Sequence, residues 1–121
     1  MAFIEILKDL VTGLNGGMAA TIMGMDGLSL EHFSAPKTHY DVDLVAVEYG
    51  KVISEIKNAA EVLSLGELEE IVVKTPLADV ILQVISPDYY IILVIAQDVS
   101  VGKARYLLRR AAAKTRKELA Q

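Results

Sequence analysis

The stretch MAATIMGMDGLSLEHFS, residues 18–34, decides the fold. From Met18 to Met25 it is apolar on both alternating faces, the pattern of a strand buried from two sides. Asp26-Gly27 follows. This dipeptide between two extended runs signals a hairpin, because the tightest hairpin turns need positive φ. Leu28 to Ser34 then returns with Ser29, Glu31 and His32 among its apolar residues, a composition suited to an exposed sheet edge.

On the N-terminal side, Phe3, Ile4, Leu7, Leu10, Val11 and Leu14 recur at helical spacing, with Glu5, Lys8, Asp9 and Thr12 between them. This predicts an amphipathic helix ended by Gly16-Gly17. On the C-terminal side, Ala35-Pro36-Lys37 is loop, and Asp41 is the N-cap of a long helix from Val42 to about Leu65. Val45, Tyr49, Val52, Ile56, Ala60 and Leu63 form its expected core stripe. Val42, Leu44, Ala46, Val47, Ile53 and Val62 are apolar too, so the first half should be buried on more than one side. Ala46, Gly50 and Ser54 recur every fourth position, a spacing that lets another backbone approach closely. Without such a neighbour, Gly50 is a weak point costing about 1 kcal/mol.

Three strands follow, from about Leu68 to Thr75, Ala78 to Ile85 and Tyr89 to Ala96, with Pro76 and Pro87 in the gaps where no ladder bond is lost. The last is apolar on both faces and therefore central. The first carries Glu69, Glu70 and Lys74, the mark of an edge either guarded by charge or awaiting a partner strand. A final helix runs from about Ser100 to Leu119, with Asp98 and Ser100 supplying capping oxygens. Val101, Ala104, Leu107, Leu108, Ala111, Ala112, Thr115 and Leu119 make its buried stripe. The order is α-β-β-α-β-β-β-α, an α/β chain read as a single domain over residues 1–121, without repeats or linkers.

Composition narrows function. Hydrophobic residues are 53% of the chain and mean hydropathy is +0.39. A membrane span needs about 18 uninterrupted apolar residues, and the richest run, Tyr89 to Ala96, is less than half that. The excess apolar surface is best hidden against a second copy. The absence of cysteine removes disulfides and thiolate metal sites and fits a reducing cytoplasm. The start of the chain does not read as a secretory signal, since Glu5, Lys8 and Asp9 interrupt its apolar stretch.

Catalytic chemistry is not legible. His32 on an edge strand and His39 in a loop lack the neighbours that nucleophilic or metal chemistry requires. Ser100-Val-Gly-Lys103 echoes a phosphate loop, but Gln97 stands where the first glycine belongs and Ala104 replaces the hydroxyl. Glu69 and Glu70 point to opposite faces of a strand. No catalytic residue, metal site or cofactor is expected.

The charge is uneven. Residues 1–99 carry five basic and fifteen acidic side chains, a balance of −10. Residues 100–121 carry seven basic and one acidic, a balance of +6, which together give the net −4. Lys103, Arg110, Lys114 and Lys117 line one face of the last helix. With an acidic whole, this reads as a solvated outer face and not as a nucleic-acid site.

The element order, the segment Ala20-Thr-Ile-Met-Gly-Met-Asp-Gly-Leu28, and the closing strand and helix Ile92-Leu-Val-Ile-Ala-Gln-Asp-Val-Ser-Val-Gly-Lys-Ala-Arg-Tyr-Leu-Leu108 resemble the Roadblock (dynein light chain) family. Asp26-Gly27 and Gly102 look like that family's hairpin and last-helix glycine positions. The resemblance implies a five-stranded antiparallel sheet, an α+β sandwich with the long helix on one face and the first and last helices on the other. It also implies a homodimer joined through Val42, Ala46, Val47, Gly50, Glu69, Ile71 and Val73. Bacterial members partner small Ras-like GTPases, and by position Ile53, Lys57 and Ala60 would form the docking platform. Many relatives carry small residues where Ile53 and Lys57 stand here. The expected function is regulation of a small GTPase by docking, as a GTPase-activating or co-regulatory partner. The alternative is a structural adaptor or scaffold subunit with no GTPase.

Overall fold

A computed structural model of the protein describes residues 2–121. The chain runs α1 (Phe3–Thr12), β1 (Gly17–Gly24), β2 (Ser29–Ser34), α2 (Val42–Val62), β3 (Glu70–Lys74), β4 (Asp79–Ser86), β5 (Tyr89–Ile95) and α3 (Val101–Leu119). The five strands form one antiparallel sheet in the order β2-β1-β5-β4-β3, so β5 is central and β2 and β3 are edges. This is the α+β sandwich and element order that the sequence implied.

Alternation along the strands sends side chains into two cores. On one face, Ala20, Ile22, Ile81, Ile91, Leu93 and Ile95 pack under α1 and α3 with Leu7, Leu10, Leu108 and Ala112. On the other, Ala19, Met23, Leu82, Tyr90, Ile92 and Val94 pack under α2 with Val42, Ala46 and Ile53. A sheet covered on both faces needs strands that are apolar on both faces, which is why β1, β4 and β5 lack polar alternation.

Local chemistry sets most boundaries. Asp41 Oδ1 accepts from the backbone amides of Asp43 and Leu44 and starts α2; Ser100 Oγ accepts from Lys103 N and starts α3. At its C-terminus, α2 closes with Leu65 N on Ala60 O and Ser64 N on Glu61 O, the paired bonds of a Schellman motif. Its left-handed position is held by Ser64, at φ 58°, and not by a glycine.

Several expectations are corrected. The first helix stops at Thr12, and Gly17 already belongs to β1. The first hairpin is not the tightest kind. Gly27 N donates to Gly24 O, Gly24 N donates to Leu28 O, and only Gly27 has positive φ, so three residues form the turn. The edge strand β3 spans five residues, shorter than the stretch from Leu68 to Thr75. The core stripe of α2 is also displaced. Val52 and Leu63 are exposed, Val45, Tyr49, Ile56 and Ala60 are half-buried, and the buried residues are Val42, Ala46 and Ile53. The N-terminal part of α2 is fastened over β1 and β2, because Asp43 Oδ1 accepts from Thr21 Oγ1 at 3.0 Å and Asp43 Oδ2 sits 3.2 Å from His32 Nδ1. That attachment turns Val52 towards the uncovered side of the sheet, next to β3.

Candidate functional site

The two sheet edges differ. On β2, pairing with β1 breaks between Ile22 and Met23, with Ser29 and Glu31 bracketing an extra residue, Leu30. A bulge of this kind twists an edge away from foreign strands. By contrast, β3 pairs with β4 in unbroken register from Glu70↔Gln83 to Lys74↔Asp79. Its outer side is a regular run of five residues with no bulge and no proline.

Charge on β3 is drawn inward. Glu70 has a side chain only 15% exposed and is gripped by Arg105 and Arg109 of α3: Arg105 Nε pairs with Oε1, Arg105 Nη2 lies 3.1 Å from Oε2, and Arg109 Nη2 lies 3.3 Å from Oε2. The Arg105 hydrogen bond holds the Glu70 carboxyl below its ordinary value, against an opposing push from burial, and the charge of Arg105 and the contacts of Arg109 add to the lowering. At the other end of the strand, Lys74 Nζ lies 2.9 Å from Oδ2 of the buried Asp79. Two of the three charges that looked like guards on this edge, Glu70 and Lys74, are therefore paired within the molecule, and Glu69 stays exposed.

Beside β3 lies an almost wholly apolar cleft of about 110 Å³, between α2 and the β3–β4 half of the sheet. Val52, Ile53 and Ile56 wall it from the helix, and Ile71, Val73 and Val80 from the strands. Val52, a wall of this cleft, is 47% exposed, and Leu44 and Val47 are exposed elsewhere on α2 by 58% and 38%.

The residues singled out from sequence divide accordingly. Ile71, Val73 and Gly50 are half-buried, and Val47 and Glu69 are exposed. Val42 and Ala46 are 2% and 0% exposed in the isolated chain, so their side chains serve the fold beneath α2 and are not surface. Ile53 is corrected as well: at 1% exposure it belongs to the core against Ile92 and Leu82, not to an outer platform. It shares one side of the helix with Val42 and Ala46, the side laid on the sheet. Lys57 is half-buried with Nζ 3.4 Å from Pro87 O, and Ala60 is half-buried nearby.

Gly50 has a different reason for being small. A Cβ there would lie 2.7 Å from the Tyr90 hydroxyl, which donates to Ala46 O at 2.9 Å. The close neighbour within the chain is a tyrosine from its own central strand. Burial raises the Tyr90 phenol to about 12.

Sequence reasoning missed the role of the last helix. Arg105 and Arg109 hold Glu70, and Arg116 donates from Nε to Ile85 O at 2.8 Å and from Nη2 to Val84 O at 3.2 Å. These pairs lie 31 to 39 residues apart in the chain, beyond any periodicity signal. Lys103, Arg110 and Lys117 keep the exposed positions expected of them, with Arg110 placed 5.9 Å over the Tyr106 ring, and Lys114 is half-buried. Among the described residues, no helix is long and apolar enough to cross a membrane.

An α-β-β-α-β-β-β-α sandwich with one regular, uncapped sheet edge beside a long helix defines a class of small α+β domains. Comparison with known proteins makes the class specific: the chain is 34% identical to MglC from Myxococcus xanthus, over 98% of this chain and 99% of that one, with a TM-score of 0.69. It belongs to the Roadblock/LC7 family. The fold also matches a Roadblock/LC7 domain from Streptomyces avermitilis at 14% identity and TM-score 0.85, covering 97% of each chain. It likewise matches MglB of Myxococcus xanthus at 10% identity and TM-score 0.87, over 98% of this chain and 94% of that one. No protein-family model and no curated protein matches the chain.

Proposed function

We propose that two copies of this chain pair through β3 and the outer side of α2, and that the joint surface docks a small Ras-like GTPase and regulates it. The observation that carries the pairing is the contrast between edges. β2 is interrupted by a bulge, whereas β3 is regular, has Glu70 paired by Arg105 and Arg109 and Lys74 by Asp79, and is flanked by an apolar cleft. Joining β3 to its copy satisfies the open ladder groups, and the cleft with Leu44, Val47 and Val52 supplies apolar area to bury.

The GTPase rests on membership of the Roadblock/LC7 family, whose bacterial branch includes partners of such enzymes. Regulation by docking needs no reacting group from this chain, since ordering a GTPase's own switch loops changes its rate. With Ile53 in the core, the outward positions of α2 are the docking candidates, Lys51 and Glu55 foremost, beside Lys57 and Ala60. A second reading, an adaptor with no GTPase, is favoured by the engagement of Lys57 with Pro87 O, which turns that ammonium back towards its own sheet.

Lys51→Glu separates the readings. Loss of binding to a GTP-loaded GTPase, with dimer mass unchanged, supports the platform. A GTPase that never binds the wild type leaves the adaptor.

A further inference from the structure

A second, wider groove lies away from the apolar cleft, where the sheet runs out past the start of β3. Because β3 begins at Glu70, opposite Gln83, β4 outruns it: Val84 N donates to Glu69 O at 2.9 Å, and then the chain diverges. The 63–69 loop stands away from β4 and leaves a groove of about 1460 Å³ that reaches round to Arg116.

Three observations bear on what fits it. First, the lining is acidic. It carries Glu61, Glu67 and Glu69 beside two cations, Lys57 and Arg116, while Glu70 is paired with Arg105 and Arg109. Both cations are directed at main-chain carbonyls, Lys57 at Pro87 O and Arg116 at Val84 O and Ile85 O. Second, Gln83 lines the groove at 8% exposure, yet its amide makes no hydrogen bond within the described protein. The side chain is largely covered while its amide oxygen and nitrogen stay open to the groove, so both are available to a ligand that can pair with them. Third, the groove is open and continues the line of β3, a shape for a chain and not for an enclosed small molecule.

We propose that this groove binds an extended basic peptide segment of a partner protein, with the Gln83 amide bonding its main chain and Glu61, Glu67 and Glu69 facing its cations. A primary amide matches a peptide unit donor to acceptor, so Gln83 reads backbone and not sequence. The glutamates supply attraction that salt screens. Phosphate-bearing ligands are repelled by the same carboxylates. The groove does not depend on the GTPase reading, and it leaves the outer side of α2 free.

The test uses the full chain and two fluorescein-labelled ten-residue peptides, one of alternating lysine and serine, the other of alternating glutamate and serine. Anisotropy at low salt should rise with the lysine peptide only. Gln83→Leu, which keeps the size and burial of the side chain, should weaken it by about fivefold, the worth of a hydrogen bond or two. Glu67→Lys with Glu69→Lys should abolish it, while Lys103→Glu, outside the groove, should not reduce it. As a second readout on the wild type, the Gln83 side-chain amide resonances should shift on titration with the lysine peptide. No binding of that peptide, equal affinity in Gln83→Leu, or unmoved Gln83 resonances would overturn the proposal, since the last two describe charge attraction alone.

Discussion

The hydroxyl of Tyr90 donates to the main-chain carbonyl of Ala46 at 2.9 Å, across the interface between the central strand β5 and the middle of α2. Ala46 lies one turn before Gly50, and the space that a Cβ at Gly50 would need is taken by the same hydroxyl. One tyrosine thus sets the height of α2 above the sheet, and with it the part of the helix left facing outward.

A glycine within a helix is ordinarily improved by alanine by about 1 kcal/mol. Here Gly50→Ala should destabilise the wild type, because the new methyl meets the Tyr90 oxygen. In a Tyr90→Phe background, itself weakened by roughly 1 kcal/mol from the lost hydrogen bond, Gly50→Ala should become stabilising. Urea unfolding of the four proteins reads the change of sign directly. Equal effects in both backgrounds would contradict the steric account.

Alkaline stability follows from the same residue. The Tyr90 phenol is raised from 10.0 to about 12 by burial, so the folded state holds its proton where the unfolded state releases it. Its contribution is complete below pH 10 and is lost as pH rises towards 12. Thermal melts across this window should fall less steeply for Tyr90→Phe than for the wild type.

The acid limb belongs to Glu70. Its carboxyl is lowered from 4.5 by the bond from Arg105, so the stabilisation is present above pH 4.5 and fades as pH falls through the folded value. Glu70→Gln should melt below the wild type at neutral pH, and the gap should close well below pH 4.5. A gap that persisted unchanged in acid would assign Glu70 to packing instead of charge.

Ser64 offers a gain. It holds the left-handed position after α2, at φ 58°, with its neighbours exposed. Glycine takes that conformation without the Cβ strain of roughly 1 kcal/mol. Ser64→Gly should therefore raise the unfolding midpoint by a corresponding amount, although it removes a side chain.

How much of this was open to reading from the chain depends on the range of the interaction. Asp41 and Ser100 announce their helices because a capping oxygen acts within three residues, and the hairpin near Asp26-Gly27 is equally local. The inward side of α2 was not legible. Apolar residues surround its first half, so periodicity cannot choose between Ile53 and Val52; the choice is made by Thr21 and His32, which hold Asp43 from another part of the chain. The grip of Arg105 on Glu70 was hidden for the same reason, since the two lie 35 residues apart and Glu70 reads only as an edge charge. Sequence therefore placed the long helix and the edge strand, and misassigned which side chains of the helix face outward.

The central claim is that β3 and the outer side of α2 pair two copies and that the pair docks a GTPase. The most direct measurement is mass in solution by analytical ultracentrifugation across a wide concentration range, for the wild type and Val47→Glu, with and without a small Ras-like GTPase loaded with GTP. The account predicts a wild-type dimer at every concentration that gains mass with the GTP-loaded enzyme, and a Val47→Glu chain that remains folded but monomeric. A wild-type monomer throughout, or a dimer untouched by Val47→Glu, would contradict it.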